Sequence, residues 1–224
     1  MRVLGVDGWA RGWISIELDD GQFAGAYVAE TLHTLIMNAA DVSSVAVDMP
    51  LGLLDEGPRE ADIEAALLLG PRRSSVFPTP PRAVFLEESY RAAAQRHLEL
   101  TGKGLSQQSY ALRTRLLEAN TLYDQGAFPL REVHPEMSFA MMGDGPPARG
   151  KKTWDGQRDR LERLRSVGIE LPDDLGAAGA VPPDDVLDAA AAAWTAHRIG
   201  CGIATSVPDP PQINERGQHL AIWY

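Results

Sequence analysis

The sequence predicts an α/β protein built on a mixed sheet. An antiparallel three-strand meander comes first, parallel strands follow, helices flank the sheet, and a helical insertion interrupts it. Three observations carry that expectation. Three β-rich runs joined by short turns fill the first 28 residues. A fully apolar, non-alternating run, Val45-Ala46-Val47, then follows a helical stretch, as a buried strand reached by a crossover does. Helical periodicity dominates most of what remains, and strands succeeded by helices pack as a sheet with helical cover.

The elements follow in chain order. Val3, Leu4 and Val6 form the first strand, which ends at Asp7. Gly8 and Gly12 bracket a turn, and Trp13, Ile14, Ile16 and Leu18 make the second strand. Asp19-Asp20-Gly21 turns the chain again into a third strand over 23–28. Residues 30–39 predict a short helix with Leu32, Leu35 and Ile36 on one face. The strand at 45–47 stops at Asp48-Met49-Pro50. A helix over 60–69 ends at Gly70-Pro71, and 72–82 reads as a loop rich in Pro, Arg and Ser. Helices over 86–100 and 107–123 flank Gly102-Lys103-Gly104. A brief strand at 131–133 precedes His134-Pro135-Glu136, a helical turn at 138–142 and a Gly/Pro loop at 143–150. The helix at 155–167 is so charged that it reads as a solvated face with i, i+4 ion pairs. Pro183 and Asp184 signal a last helix running to 199, in which the alanines at 189–193 permit close packing. Residues 220–223 read as an edge strand. The chain, 1–224, reads as one domain, with 57–128 as a helical insertion or cap within it.

Composition narrows the function. The 224 residues include 21 Lys and Arg against 31 Asp and Glu, a formal charge of −10. Such a surface repels a polyanion at long range, so contact with nucleic acid has to be local and metal-assisted. The single cysteine, Cys201, excludes an internal disulfide framework and a cysteine zinc site, and inert burial is expected for it. The opening segment meets a carboxylate at Asp7, without the apolar stretch of a signal peptide, and no run reaches the ~18 apolar residues of a membrane span. These features predict a cytoplasmic protein with no membrane partner; a homo-oligomer is compatible with them.

The chemistry concentrates in carboxylates. Asp7 and Asp48 each end an apolar strand, where an unneutralised charge is expensive. If the two strands are parallel neighbours, both acids lie at their carboxyl ends, where ligands bind in open α/β sheets. Asp184, Asp185 and Asp188 open the last helix, and Asp185 and Asp188, three apart, share a face. Each taken singly reads equally as a turn or cap residue. Together they form an oxygen-rich set suited to Mg²⁺ or Mn²⁺. Glu132, His134 and Glu136 alternate by two; His134 is a general-base or phosphate-contact candidate, and Glu132 is a further ligand or supporting partner. Arg72, Arg73, Ser75 and Arg82, with Lys103 further on, supply groups for phosphate, and Arg149, Lys151 and Lys152 make a second basic spot.

These segments resemble a known group. Gly5-Val6-Asp7-Gly8-Trp9, Val47-Asp48-Met49-Pro50-Leu51-Gly52-Leu53, Ser75-Val76-Phe77-Pro78, Glu132-Val133-His134-Pro135-Glu136 and Asp184-Asp185-Val186-Leu187-Asp188-Ala189 are similar to those of domain of unknown function 429. That family is itself a set of predicted nucleases of the RNase H-like superfamily. The acid pattern resembles that of RuvC-type resolvases, which carry one acid on the first strand, one ending the fourth, and an Asp-x-x-Asp-Ala pair opening the final helix. Those enzymes have Glu at the second position, where this chain has Asp48, one methylene shorter. The resemblance implies an RNase H-like fold, Asp7, Asp48, Asp185 and Asp188 as metal ligands, Glu132 and His134 beside them in catalysis, and hydrolysis of a nucleic acid or nucleotide phosphodiester. Two other readings stay open: a non-catalytic nucleotide-binding or regulatory module, and an actin-like phosphotransferase, for which the chain is short and lacks a glycine-rich phosphate loop.

Overall fold

The structure is a computed structural model and describes residues 1–39 and 41–224. In chain order its elements are β1 (Arg2–Trp9), β2 (Gly12–Asp19), β3 (Gln22–Ala29), α1 (Leu32–Asn38), β4 (Ser44–Val47) and α2 (Glu60–Leu69). Then come α3 (Arg82–Leu86), α4 (Tyr90–Thr101), α5 (Gln107–Ala111), α6 (Arg113–Gln125), β5 (Leu130–Val133) and α7 (Pro135–Met142). The chain finishes with α8 (Trp154–Ser166), α9 (Pro183–Gly200), β6 (Ser206–Ile213) and β7 (His219–Trp223). Two compact units divide it: the first comprises Met1–Met49, Gly126–Thr205 and Trp223–Tyr224, the second Pro50–Gln125 and Ser206–Ile222.

The first unit holds a mixed sheet in the order β3-β2-β1-β4-β5. β1, β2 and β3 form the antiparallel meander, and β1–β4 and β4–β5 are parallel. The α/β class and the meander-plus-parallel arrangement are therefore those the sequence predicts, as an RNase H-like sheet requires. In the β1–β4 ladder Val6 pairs with Val47, and the Asp48 amide continues it by donating to the Val6 carbonyl at 2.9 Å. Asp7 and Asp48 consequently leave the sheet side by side. Side chains alternate along a strand, so both point to the face that carries Val3, Gly5 and Ala46.

Helix α9 lies against that face. A Cβ built on Gly5 would stand 1.9 Å from the Ala193 nitrogen and 2.2 Å from the Ala189 oxygen, both backbone atoms. Only glycine on the strand allows this approach. The alanines at 189–193 are fully buried, in a core with Val3, Ile14, Ile16, Leu18, Ala46 and Val133. Close approach of backbones thus sets the height at which α9 presents its first turns to the ends of β1 and β4.

Helix α8 departs from the solvated face expected for it. Arg158–Glu162 and Arg163–Asp159 are the anticipated i, i+4 pairs, at 3.1 and 2.8 Å. Arg160, however, is completely buried and stacks on the face of Phe139. Cys201 also corrects the sequence reading: it is exposed at the end of α9, with its sulfur 3.8 Å from His197 Nε2.

The second unit contains α2–α6 and the hairpin of β6 and β7. The helix expected over 86–100 begins instead at Tyr90, as α4, because Ser89 caps it, accepting from the Ala92 amide at 3.2 Å, and α3 is a separate short helix before it. Asn120 ties α6 to the segment after Met49. Its amide donates to the Pro50 carbonyl at 2.8 Å, and its oxygen accepts from the Gly52 amide at 2.9 Å. Strand β6 was not signalled, since Pro208, Pro210 and Pro211 interrupt it. No helix among the described residues is long and apolar enough to cross a membrane.

Candidate metal centre

The site lies wholly in the first unit. Asp7, Asp48 and Asp188 each place one carboxylate oxygen within 4.8 Å of the others. Two strand ends supply the first pair, and the height of α9 supplies the third. The Gly8 amide fixes Asp7 by donating to its Oδ1 at 2.6 Å. At 4.8 Å two full negative charges repel by about 3 kcal/mol at an effective dielectric of about 20.

The protein answers this repulsion in two ways. Proton affinity rises: burial pushes Asp7 well above the ordinary carboxylate range, reinforced by Asp48, Asp188 and Asp185. Asp188 is pushed up to about 7, again by burial first, with Asp48 and Glu136 adding to it. Asp48, partly exposed, also moves up through lost hydration, opposed by the charges of His134 and Lys151. The second answer is an internal cation. Lys151 Nζ sits 2.5 Å from Asp188 Oδ2. Burial pulls the Lys151 pKa down, but Asp188, Asp7 and Asp48 outweigh it and raise the group above its usual value.

The donor set fits a hard dication. All three groups offer carboxylate oxygen, the preferred ligand of Mg²⁺ and Mn²⁺. Asp188 Oδ1 is buried, and no described residue donates a hydrogen bond to it. An acceptor left in that condition is costly unless something cationic completes it.

The other predicted residues are distributed as follows. Asp185, half-buried in the first turn of α9, acts electrostatically on Asp7, and its own pKa is raised by burial and by Asp184. His134 stands at the N-cap of α7, its charge felt by Asp48. Pro135 begins that helix, which ends the alternation that would have aligned His134 and Glu136 with Glu132. Glu132 is buried in register with Val47, so strand alternation sends it to the face opposite Asp7 and Asp48. Arg72, Arg73, Ser75, Arg82 and Lys103 belong to the second unit. Arg72, Arg73 and Ser75 lie in a 3-10 turn, Gly70–Ser75. Arg82 forks onto Asp124 at 3.1 and 3.3 Å. Lys103 lines a cavity of about 490 Å³ in that unit, where its carbonyl accepts from His97 Nδ1 at 2.9 Å.

Two site features were not singled out from sequence. In the sequence Lys151 is only part of a basic spot; its place after the turn-forming Gly150 gives no hint of an ion pair with a buried carboxylate. In the sequence Glu136 reads only as a neighbour of Glu132 and His134. In the structure it is buried, Arg160 donates to its Oε1, and its Oε2 has no donor among the described residues. Its charge reaches both Asp48 and Asp188.

No curated protein and no solved structure matches the chain. A family model does, over residues 5–213, a span that takes in all three converging aspartates together with Lys151 and Glu136. The chain therefore belongs to the family described as Protein of unknown function (DUF429).

Proposed function

We propose that this protein is a metal-dependent phosphodiesterase of nuclease type, with Asp7, Asp48 and Asp188 as ligands of Mg²⁺ or Mn²⁺. One observation carries the reading: acids 41 and 140 residues apart along the chain (48 − 7 and 188 − 48) meet within 4.8 Å, and one of them keeps a buried, unsatisfied oxygen. Mere caps have no reason to converge.

A bound dication would supply Lewis-acid charge for activating water and for the phosphate oxygens. The chain's own groups do the rest. Asp7 is oriented by the Gly8 amide, Asp188 by the packing of α9 on Gly5. His134, whose charge acts on Asp48, would be the group to move a proton. Asp185 adds negative charge at the rim. Within the second unit, Arg82 is paired with Asp124. The charge of −10 favours a short strand, a structured junction or a nucleotide over a long duplex held by charge. A cytoplasmic setting belongs to the same reading.

The test is cleavage of DNA, RNA, branched and dinucleotide substrates with Mn²⁺. Asp7→Asn and Asp188→Asn are expected to abolish it while leaving the circular dichroism spectrum and cooperative unfolding intact. Cleavage retained by both folded variants overturns the assignment.

A further inference from the structure

Lys151 occupies an unusual position for a lysine beside a metal centre. Its ammonium contacts Asp188 Oδ2 at 2.5 Å, while the companion oxygen Oδ1 of the same carboxylate is buried with no described donor. The ammonium also acts electrostatically on Asp7 and Asp48, so it serves the whole trio.

We propose that Lys151 is a resident cation of this carboxylate nest, and that a divalent ion binds by exchange, driving the ammonium outward to where an incoming phosphate meets it. The proposal rests on the metal-dependent reading above and adds how that site is filled. A dication held by the trio would share Asp188 with the ammonium. They repel more strongly than two unit charges do. One of them leaves, and the tether shows which.

The backbone on either side of Lys151 is fixed. Arg160, itself buried, donates to the Arg149 carbonyl at 3.2 Å. Thr153 closes the other side, its amide and hydroxyl both donating to the Gly150 carbonyl at 3.0 and 2.8 Å. The side chain is the movable part. It is 37% exposed, against 3% for that of Asp188, so rotation about its four methylenes carries the charge into solvent without moving the loop. The same lysine then has two partners in turn. Without metal it neutralises Asp188 and keeps the acids together. With metal it is a free positive group at the rim, where the substrate's phosphate arrives.

The experiment uses the full chain. Mn²⁺ is titrated calorimetrically into the wild type, Lys151→Met and Lys151→Arg. In parallel, a pulse of acetic anhydride at each Mn²⁺ concentration, read by peptide mass spectrometry, reports the accessibility of Lys151, with exposed Lys103 as internal control. Exchange predicts that acylation of Lys151 climbs with the calorimetric saturation while Lys103 stays constant. It predicts that Lys151→Met binds Mn²⁺ about tenfold tighter or more, and that Lys151→Arg, which keeps the charge, does not. Binding by Lys151→Met alone overturns exchange, because the ammonium of the wild type then never yields to the ion. Acylation that stays flat through saturation overturns it, as does equal or weaker affinity in a folded Lys151→Met. If that variant does not fold, the wild-type labelling decides. Absence of Mn²⁺ binding in every protein brings down the metal reading together with this one, whereas binding without exchange brings down only this one.

Discussion

Replacing Gly5 by alanine probes the contact on which the site depends. The added methyl would lie 1.9 Å from Ala193 nitrogen, 2.2 Å from Ala189 oxygen and 2.6 Å from Ala192 carbonyl carbon. Comfortable carbon contacts begin near 3.5 Å. All three obstacles are helix backbone, so no side chain can rotate aside, and α9 must retreat by roughly 1–2 Å. Overpacking of a side chain typically costs about 1–3 kcal/mol, and a backbone obstacle places Gly5→Ala at or above the top of that range. Against a total stability of about 5–15 kcal/mol that is a large fraction. Asp188 directly precedes the alanine run, so the retreat also opens the trio. Urea unfolding should therefore show a lower midpoint with an unchanged slope, and calorimetry should show weakened Mn²⁺ binding. Ala193→Gly should not rescue the variant, because the clashing atom is the nitrogen rather than the methyl. Stability within about 0.5 kcal/mol of wild type, with unaltered Mn²⁺ affinity, would refute the close-packing argument.

Further outcomes follow from the same geometry. Asp188 has a folded pKa of about 7 against an ordinary value of 3.8, so the folded state binds the extra proton. Its stabilising contribution is fully present below the unfolded pKa and is lost as pH rises through about 7. Without metal, the stability of wild type relative to Asp188→Asn should fall by a few kcal/mol at most between about pH 4 and 8. Millimolar Mg²⁺ should reverse that slope, and a flat or rising metal-free difference would contradict the placement of Asp188. Arg160→Met strands Glu136 as a buried carboxylate, for which a loss of about 3–5 kcal/mol is expected in denaturant titration. The double variant Arg160→Met with Glu136→Leu should recover much of it; additivity of the two changes would show that the pair is uncoupled.

What the sequence made legible, and what it hid, separates along a physical line. Strands β1 and β4 were readable because their apolar runs stop abruptly at an aspartate, and α9 because Pro183, Asp184 and the alanines at 189–193 mark a helix that starts in acid and continues into the core. These are signals of position along the chain, and position was enough to bring Asp7, Asp48 and Asp188 to one sheet end. The family resemblance drew on the same segments, and the matching family model spans them. What stayed hidden were the cations. Lys151 and Arg160 look like solvent groups in any window of sequence, since periodicity reports where apolar side chains face and says nothing of a charge buried against charge. Strand β6 was lost for a related reason, because three prolines mask a β run whose pairing is decided elsewhere.

Glu132 was misplaced by the opposite error. Its type and spacing suited the site, yet a register of one residue puts it beside Val47 and across the sheet from Asp48. Residue type therefore identifies which carboxylates are available, whereas register and backbone approach decide which of them meet. The counter-ion comes last in this order. A trio of buried acids cannot fold as trianions without compensation, so the chain must carry a proton, an ammonium or a metal there at every stage. Lys151 supplies part of that compensation from within the chain, through its ion pair with Asp188.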